Sequence, residues 1–311
     1  MNDTIKILIC GLGGVGGYLG SKLSYYSSLG HKEISVYFLA RGKNLQAIEE
    51  NGILLKAKDY EIQSFPKLVT NDIKKMPKMD YVFLCTKSYD LENLLSEITP
   101  LLQDSTIVIP FLNGVEVHDI LSKRIKSGIM KGCAYIVSYV QSPGVIVETG
   151  RIARFIWGQK AVTYEMLRLQ NILVDAGIDS VLSTETDYAV WEKFSFISPV
   201  ATLTSYLDIT YGMIADNAIY QDLLKDLFKE FRKVAYACGV SLPEVLFEKH
   251  LLSISKFDAG TTTSMQRDFA EKRSTELEAL TGYIVEKAKE HQIEIPYYNG
   301  MYAYLKSKSG K

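Results

Sequence analysis

Cysteine and histidine are scarce in this sequence. The 311 residues include four of each, and the cysteines lie far apart, at Cys10, Cys85, Cys133 and Cys238. No two of them have the C-x-x-C spacing, and no group has the spacing of metal ligands. This pattern excludes a recognisable disulfide framework or zinc motif, and we predict no bound metal.

An excess of one charge is also missing. The chain has 35 lysine and arginine residues against 36 aspartate and glutamate residues, which gives a formal net charge of −1. Because no general electrostatic field would attract them, a nucleic acid and a membrane surface are not expected partners. We expect a small-molecule ligand instead.

Long apolar runs are absent as well. No stretch approaches the roughly 20 apolar residues that span a bilayer. The first apolar run, Ile5–Cys10, is shorter than the core of a signal peptide, which has about 7 to 15 residues. We therefore expect a soluble protein of a reducing, cytoplasmic compartment.

The first half of the sequence alternates short apolar runs with helical patterns. The runs are Ile5–Cys10, Glu33–Ala40, Met79–Thr86 and Ser105–Leu112, and the helical patterns are Gly16–Leu29, Asn44–Asn51 and Leu91–Leu102. Later strands are predicted on both sides of a hairpin turn at Ser142–Gly144. This alternation predicts an α/β fold with a Rossmann-type, doubly wound parallel sheet.

Beyond about Asp187 the strand patterns fade and helical patterns take over. These are Tyr188–Leu207, Ala218–Cys238, Leu242–Ile254, Gly260–Gln292 and Tyr297–Lys306. We predict two domains, an α/β domain over residues 1–183 and an all-α helical domain over residues 184–311.

Six glycines fall within Cys10–Gly20, directly after the first predicted strand. Gly11, Gly13 and Gly16 form a G-x-G-x-x-G motif that opens the first predicted helix. In this setting the glycines allow a tight turn, a close approach to a pyrophosphate and close packing of helix on strand. The loop therefore predicts a dinucleotide site made by Gly11, Leu12, Gly13, Gly14, Val15 and Gly16.

The end of the second predicted strand indicates which dinucleotide binds. An NAD site usually has a carboxylate there, about 20 residues after the glycine loop. The segment Phe38–Lys43 has none and contains Arg41 instead, which could pair with a 2′-phosphate. We predict NADPH as cofactor. Lys87 and Asn113 follow two further strands and are predicted to line the same crevice, although Asn113-Gly114 is also a common turn sequence.

Two charged residues in the second half lie where helical periodicity predicts burial. Lys193 shares a helical stripe with Ile197 and Val200, and Glu276 shares one with Met265 and Leu280. A charge on an inward stripe costs several kcal/mol unless it is paired, so such groups form an ion pair or belong to a functional cleft. A purely structural Lys–Glu bridge is the alternative.

These features together resemble the ketopantoate reductase (2-dehydropantoate 2-reductase) family. The resemblance rests on "GLGGVGG", "ARG", "CTKSYD", "FLNGVE", "WEKF" and above all "SMQRDFAEKRSTE". It implies a Rossmann domain followed by a helical domain, as in 6-phosphogluconate-dehydrogenase-like folds, and reduction of ketopantoate to pantoate by NADPH in pantothenate and coenzyme A biosynthesis. A homodimer is plausible, since some members form one.

The resemblance also implies roles for individual residues. Lys193 would donate a proton to the substrate ketone, and Glu276 would hydrogen-bond the reacting oxygen or the substrate hydroxyl. Ser264 would contact the substrate carboxylate. Asn113 and Lys87 would line the nicotinamide and substrate side, and Arg41 would contact the 2′-phosphate.

The sequence departs from the family pattern after the lysine. Family members have asparagines four and eight residues later, but this chain has Ile197 and Ala201. Ser195, Ser198, Thr202 and Thr204 are possible replacements for their polar contacts. The open alternatives are a reductase of a different, more apolar 2-oxo acid, and a non-catalytic NADP-binding sensor.

Overall fold

The computed structural model of the chain describes residues 4–309. Those residues form two compact units. Unit 1 contains the residues up to 112 together with 117–186, and unit 2 contains 113–116 together with the residues from 187 onward. The boundary that we proposed from the sequence, after residue 183, lies just before the end of unit 1.

A six-stranded parallel sheet forms the first layer of unit 1. Its strands, in spatial order, are β5 (Leu68–Thr70), β2 (Ile34–Leu39), β1 (Ile5–Cys10), β6 (Tyr81–Leu84), β7 (Ile107–Pro110) and β8 (Gly128–Ile129). The central strands are buried along nearly their whole length, which explains why they are apolar at successive positions. The chain order reverses between β1 and β6, and such a reversal is where doubly wound sheets bind ligands.

A second, mixed sheet completes unit 1. It runs β11 (Asp179–Leu182), β10 (Val145–Gly158), β3 (Ile53–Lys56) and β4 (Glu61–Ser64), and β9 (Lys131–Ser142) pairs antiparallel with β10. The helices of this unit are α1 (Gly14–Ser28), α2 (Gly42–Asn51), α3 (Leu91–Ile98), α4 (Val117–Arg124) and α5 (Tyr164–Asp175). The hairpin predicted around Ser142–Gly144 is present as β9 and β10.

Unit 2 is helical. Its helices are α6 (Thr186–Leu207, which begins in unit 1), α7 (Tyr211–Asp216), α8 (Ala218–Ala237), α9 (Leu246–Ile254), α10 (Ser264–Ala270), α11 (Tyr283–Glu290) and α12 (Pro296–Ser309), with a π-helical segment at Glu278–Gly282. An aromatic cluster in its core fixes α6: Trp191 and Phe194 pack edge-on against Phe231 of α8. No helix within residues 4–309 is both long and apolar enough to cross a membrane.

The parallel sheet and the helical second half confirm the predicted fold class. The prediction of one helix over Gly260–Gln292 is wrong. The helix stops after α10, where Lys272 takes the left-handed conformation at φ +54°. The backbone N–H of Arg273 donates to the carbonyl of Asp268, which closes a Schellman turn. Hydrophobic periodicity does not detect such a turn when the residue at its left-handed position is not glycine.

Two smaller boundaries also differ. The predicted helix from Leu242 begins only at Leu246, after Pro243, and the helix from Leu91 ends at Ile98 and continues as a 3₁₀ turn through Leu101. The short strands β3, β4, β5 and β8 were not predicted, because two to four residues are too few to show a period.

Candidate active site

Three glycines of the β1–α1 loop and the first turn of α1 are required by packing inside unit 1. Gly11 has φ +89°, and a Cβ atom there would lie 2.8 Å from the backbone of Cys85. At Gly16 a Cβ would lie 2.0 Å from the carbonyl oxygen of Gly11, and at Gly14 it would lie 2.2 Å from that of Ser138. Real Cβ atoms do not approach so closely, so glycine alone allows the loop to lie against β9 and the end of β6.

Gly13 is different from its neighbours. A Cβ atom built there meets no described atom within 4 Å, and its φ of −77° is open to any residue. Gly13 is also the N-cap of α1, where no side chain of the described residues caps the helix and no acidic residue occupies the first turn. The helix N-terminus between Leu12 and Val15 is therefore suited to an anionic group.

A buried polar atom beside the loop also fits a ligand. The Thr86 hydroxyl follows β6, is shielded from water, and has no hydrogen-bond partner among the described residues. The Cγ2 atom of the same side chain lies 2.8 Å from the Cβ position of Gly11. A ribose or phosphate oxygen could satisfy the hydroxyl, so the residues present fit a dinucleotide.

Asn44 on α2 supports the loop, and sequence reasoning missed it. Its Nδ2 donates to the carbonyl of Leu12 at 3.2 Å, and its Oδ1 accepts from the backbone N–H of Gly144 at 2.8 Å. Asn44 thus connects the glycine loop to the β9–β10 turn. An exposed-looking asparagine near a helix N-terminus gives no sequence signal for this role, since the partner lies one hundred residues away.

The predicted phosphate-binding arginine already has an acidic partner. Arg41 is the N-cap of α2, its side chain is 64% exposed, and its guanidinium forms an ion pair with Glu97 of α3. Lys87, also predicted to bind the cofactor, is half-buried and occupies the N-cap position of the 3₁₀ turn that follows β6. Both residues therefore lie at the carboxyl ends of strands of the parallel sheet. No local pattern in the sequence indicates Glu97 as the partner of Arg41.

The two cysteines that flank the loop are not poised as nucleophiles. Burial is the main cause that raises the pKa of Cys10 and of Cys85. Both thiols therefore stay protonated at neutral pH and are poor nucleophiles.

In unit 2, Lys193 of α6 is bound to Asn113. The Nζ atom of Lys193 donates to Oδ1 of Asn113 at 3.0 Å. Asn113 follows β7 in the chain, but the segment 113–116 folds with unit 2. Gly114 makes the turn at φ +99°, and Val115 packs against the helical core. Asn113 thus provides one acceptor for the ammonium group of the half-buried lysine.

Glu276 is buried in the same unit, at 3% exposure. It lies in the irregular stretch between α10 and the π-helical segment, so the shared helical stripe from which we predicted its burial does not exist. The stretch is held by Arg273, which donates from Nε and Nη2 to Asp268 at 3.0 and 2.8 Å. This pair gives a physical reason for the spacing of the "SMQRDFAEKRSTE" segment.

Ser264 begins α10 and is partly exposed. The preceding residue, Thr263, caps this helix by accepting from the N–H of Gln266, and its hydroxyl contacts that of Thr204 at 3.0 Å. Lys193 and Asn113 are thus joined directly, whereas Ser264 and Glu276 lie at the two ends of the α10 region. The roles of all these residues remain predictions.

The four α6 hydroxyls that we considered as replacements for the missing asparagines already have partners inside unit 2. Ser195 contacts His250, Ser198 contacts Leu280 and Tyr298, Thr202 contacts Thr281, and Thr204 contacts Thr263. Ala201 is 2% exposed and belongs to the apolar core, while Ile197 is partly exposed. The polar contacts of the asparagines are therefore not restored by these hydroxyls.

A dinucleotide-binding parallel sheet, followed by a helical unit that holds a lysine and a buried glutamate, defines a class of two-domain NAD(P)H-dependent oxidoreductases. Two family descriptions match this chain: "Ketopantoate reductase PanE/ApbA" over residues 7–161 and "Ketopantoate reductase PanE/ApbA C terminal" over residues 185–309. The chain belongs to the ketopantoate reductase family.

Known proteins are similar over the whole length of the chain. Uncharacterized oxidoreductase YkpB of Bacillus subtilis is 26% identical over 304 residues, which are 97% of this chain and 98% of the relative. The 2-dehydropantoate 2-reductase of a Nostoc species is 26% identical over 318 residues, with 100% and 97% covered. The crystal structure of 2-dehydropantoate 2-reductase from Porphyromonas gingivalis W83 is 29% identical with a TM-score of 0.85, and 97% and 99% of the chains are covered. At such identities the comparison establishes the family and leaves the substrate open.

Proposed function

We propose that this protein reduces a small 2-oxo acid with NADPH, and that 2-dehydropantoate, which gives pantoate, is the first candidate substrate. The observation that carries the proposal is the hydrogen bond from Lys193 Nζ to Asn113 Oδ1 in a unit that also buries Glu276. Lys193 is then an oriented cation and Glu276 is a carboxylate in the same unit, and the proposed reaction needs both.

The chemistry assigns a task to each side chain. NADPH, when bound, supplies the hydride that the ketone carbon accepts. Negative charge then develops on the ketone oxygen, and the Lys193 ammonium stabilises that charge and donates the proton that completes the alcohol. Asn113 orients the ammonium group through its side-chain carbonyl. Glu276 offers a carboxylate that accepts a hydrogen bond from the lysine or from a substrate hydroxyl.

The binding tasks fall to unit 1. The backbone at Gly13 and the N-terminus of α1 would hold the pyrophosphate. Arg41 would bind the 2′-phosphate through charge-assisted hydrogen bonds, which favours NADPH over NADH. Lys87 would contribute a further positive charge at the end of β6.

A substrate panel tests the proposal. Purified protein is mixed with NADPH and 2-dehydropantoate, 2-oxobutyrate, 2-oxoisovalerate or phenylpyruvate, and the absorbance of the reduced nicotinamide is followed. The Lys193→Met variant serves as the matched control. We expect turnover that depends on Lys193. Tight NADPH binding without oxidation by any acid would contradict the proposal and favour a nucleotide sensor.

A reductase of a more apolar 2-oxo acid is the second candidate. The observation that favours it is the inward hydrogen bonding of the α6 hydroxyls together with the apolar side chains of Ile197 and Ala201. A site that lacks a partner for a substrate hydroxyl discriminates poorly in favour of that hydroxyl.

The Ile197→Asn variant distinguishes the two candidates. It should raise kcat/KM for 2-dehydropantoate relative to an unhydroxylated acid by about 2- to 10-fold, the value of one ordinary hydrogen bond. Ile197→Leu is the control and should leave the ratio unchanged. If wild-type protein already prefers 2-dehydropantoate strongly, the second candidate is wrong.

A further inference from the structure

One face of α6 carries a row of buried hydroxyl groups. Ser195, Ser198 and Thr202 have the i, i+3, i+7 spacing that places side chains on one side of a helix. Their exposures are 1%, 0% and 0%. Because an unbonded hydroxyl is costly to bury, a row of three on one face requires specific partners.

The partners of Ser198 and Thr202 lie in the π-helical segment and in α12. Ser198 Oγ donates to the carbonyl of Leu280 at 2.6 Å and lies 2.8 Å from the Tyr298 hydroxyl. A serine has one hydroxyl proton, so Tyr298 is the donor in the second contact. Thr202 Oγ1 lies 2.8 Å from Thr281 Oγ1. We call these four residues, with Leu280, the hydroxyl cluster.

The hydroxyl cluster joins α6 to the π-helical segment at points where the regular α-helical hydrogen bonding is interrupted. Ser198 directly precedes Pro199, which has no N–H to donate inside α6. Leu280 lies in the π-helical segment, and such segments are frequent at functional sites. The Leu280 N–H donates to the carbonyl of Glu276 at 2.9 Å. A continuous path therefore runs from Ser198 through Leu280 to the backbone of Glu276.

Ser198 does not share a face with Lys193. Five residues of helix separate them by about 140° around the axis, so Ser198 lies on a different side of α6 from the lysine. A fully satisfied polar network in a core selects one arrangement of the packed helices, because sliding or rotating either helix would leave several buried groups unbonded. Here α6 carries Lys193, and the π-helical segment that packs against it follows Glu276 in the chain.

We propose that Ser198, supported by Tyr298 and Thr202, is a positioning residue that sets the register of the Lys193 helix against the Glu276 segment. This inference rests on the proposed function, since it assigns Ser198 a role in the geometry of that reaction. Ser198 acts through the backbone of α6 and through Leu280, and it touches neither substrate nor cofactor.

The Ser198→Ala variant tests the proposal, and the same helix offers a matched control. Ser205 also has a buried hydroxyl oxygen, but this atom has no hydrogen-bond partner in the part of the chain that the structure describes. Ser205→Ala therefore removes an equal group without breaking a link. Tyr298→Phe removes one link of the cluster and leaves the bond from Ser198 to Leu280 in place.

Two kinds of readout are needed. Steady-state kinetics with NADPH and the best 2-oxo acid of the panel give kcat and both KM values. Hydrogen exchange of nucleotide-free protein, followed by mass spectrometry over residues 188–207 and 274–284, reports the local order of the two segments. Thermal unfolding shows whether each variant is folded under the assay conditions.

We expect Ser198→Ala to lower kcat by about 10- to 100-fold, the cost of a small misplacement of reacting groups, while KM for NADPH changes less than about twofold. Exchange should rise in residues 274–284 as well as in α6. Tyr298→Phe should give a smaller loss of kcat, and Ser205→Ala should match wild type in every readout.

Failure of this inference differs from failure of the proposed function. If wild-type protein reduces a 2-oxo acid and folded Ser198→Ala retains its kcat, the positioning role is wrong. It is also wrong if exchange in residues 274–284 is unchanged, whether or not the wild-type protein turns over any acid. If wild type turns over no acid, the proposed function fails on that result alone.

Discussion

Lys193 and Asn113 are 80 residues apart in the sequence and are joined by a 3.0 Å hydrogen bond in the structure. Asn113 follows a strand of the parallel sheet, yet the short segment that contains it packs with the helices of unit 2. The loop after β7 therefore contributes a side chain to the unit that carries the lysine. We regard this pair as the centre of the proposed catalytic group.

Lys193 and Asn113 should act as one functional group. Lys193→Met should lower kcat by about 10²- to 10⁴-fold, the usual contribution of a positioned acid, and Asn113→Ala should lower it less. If Asn113 acts by orienting the lysine, Asn113→Ala should have little further effect in the Lys193→Met background. Steady-state kinetics on the four proteins measure this coupling, and additive losses would show that the two residues act separately.

The glycine loop offers a sharp contrast between two alanine variants. Gly13→Ala should fold with a free energy of unfolding within about 1 kcal/mol of wild type, because a Cβ there meets no described atom. It should still weaken NADPH binding by at least about tenfold, since the methyl group would occupy the pyrophosphate position. Gly16→Ala places a Cβ 2.0 Å from a carbonyl oxygen and should destabilise the protein itself. Fluorescence titration and thermal unfolding measure both quantities, and normal NADPH affinity in Gly13→Ala would contradict the proposed site.

The local features of the chain could be predicted from sequence, whereas the contacts between distant segments could not. The strand, glycine loop and helix around Gly11–Gly16 can be predicted because hydrophobic periodicity and turn chemistry are signals that depend only on residues close in the sequence. The burial of Glu276 is present, but the helical stripe that predicted it is interrupted at Lys272. The pairing of Arg41 with Glu97 and the folding of residues 113–116 with unit 2 depend on tertiary packing, which no local pattern encodes.

Arg41 should determine the preference for NADPH, and Glu97 should reduce it. Arg41→Ala should weaken the binding of NADPH by about 10- to 100-fold, because a charge-assisted hydrogen bond is lost. The binding of NADH should change little. The exposed ion pair of Arg41 with Glu97 is worth little to stability. In the presence of NADPH, however, Glu97 would compete with the 2′-phosphate, so Glu97→Gln should strengthen NADPH binding a few-fold. The ratio of the two dissociation constants at low salt measures both effects, and equal losses for NADH and NADPH in Arg41→Ala would exclude a phosphate contact.

His250 should make the protein sensitive to mild acid. Burial among Phe196, Phe228 and Ser195, and to a smaller extent the charge of Lys249, lowers the pKa of His250 from 6.5 to about 4. Between those two values the unfolded chain binds a proton that the folded protein does not, so the free energy of unfolding falls as pH falls from 6.5 to 4. The full loss is at most about 3 kcal/mol.

A second buried group acts in the opposite sense, so the test of this prediction must compare variants. The Glu230 carboxylate accepts hydrogen bonds from the backbone N–H groups of Tyr297 and Tyr298, and burial raises its pKa. The contribution of Glu230 to the free energy of unfolding therefore increases as pH falls. His250→Gln keeps a polar side chain beside Ser195 and removes only the histidine titration. The midpoint of thermal unfolding, measured from pH 7.5 to 4.5, should fall more steeply for wild type than for His250→Gln. Parallel curves would show that His250 accepts its proton as readily in the folded protein as in the unfolded chain.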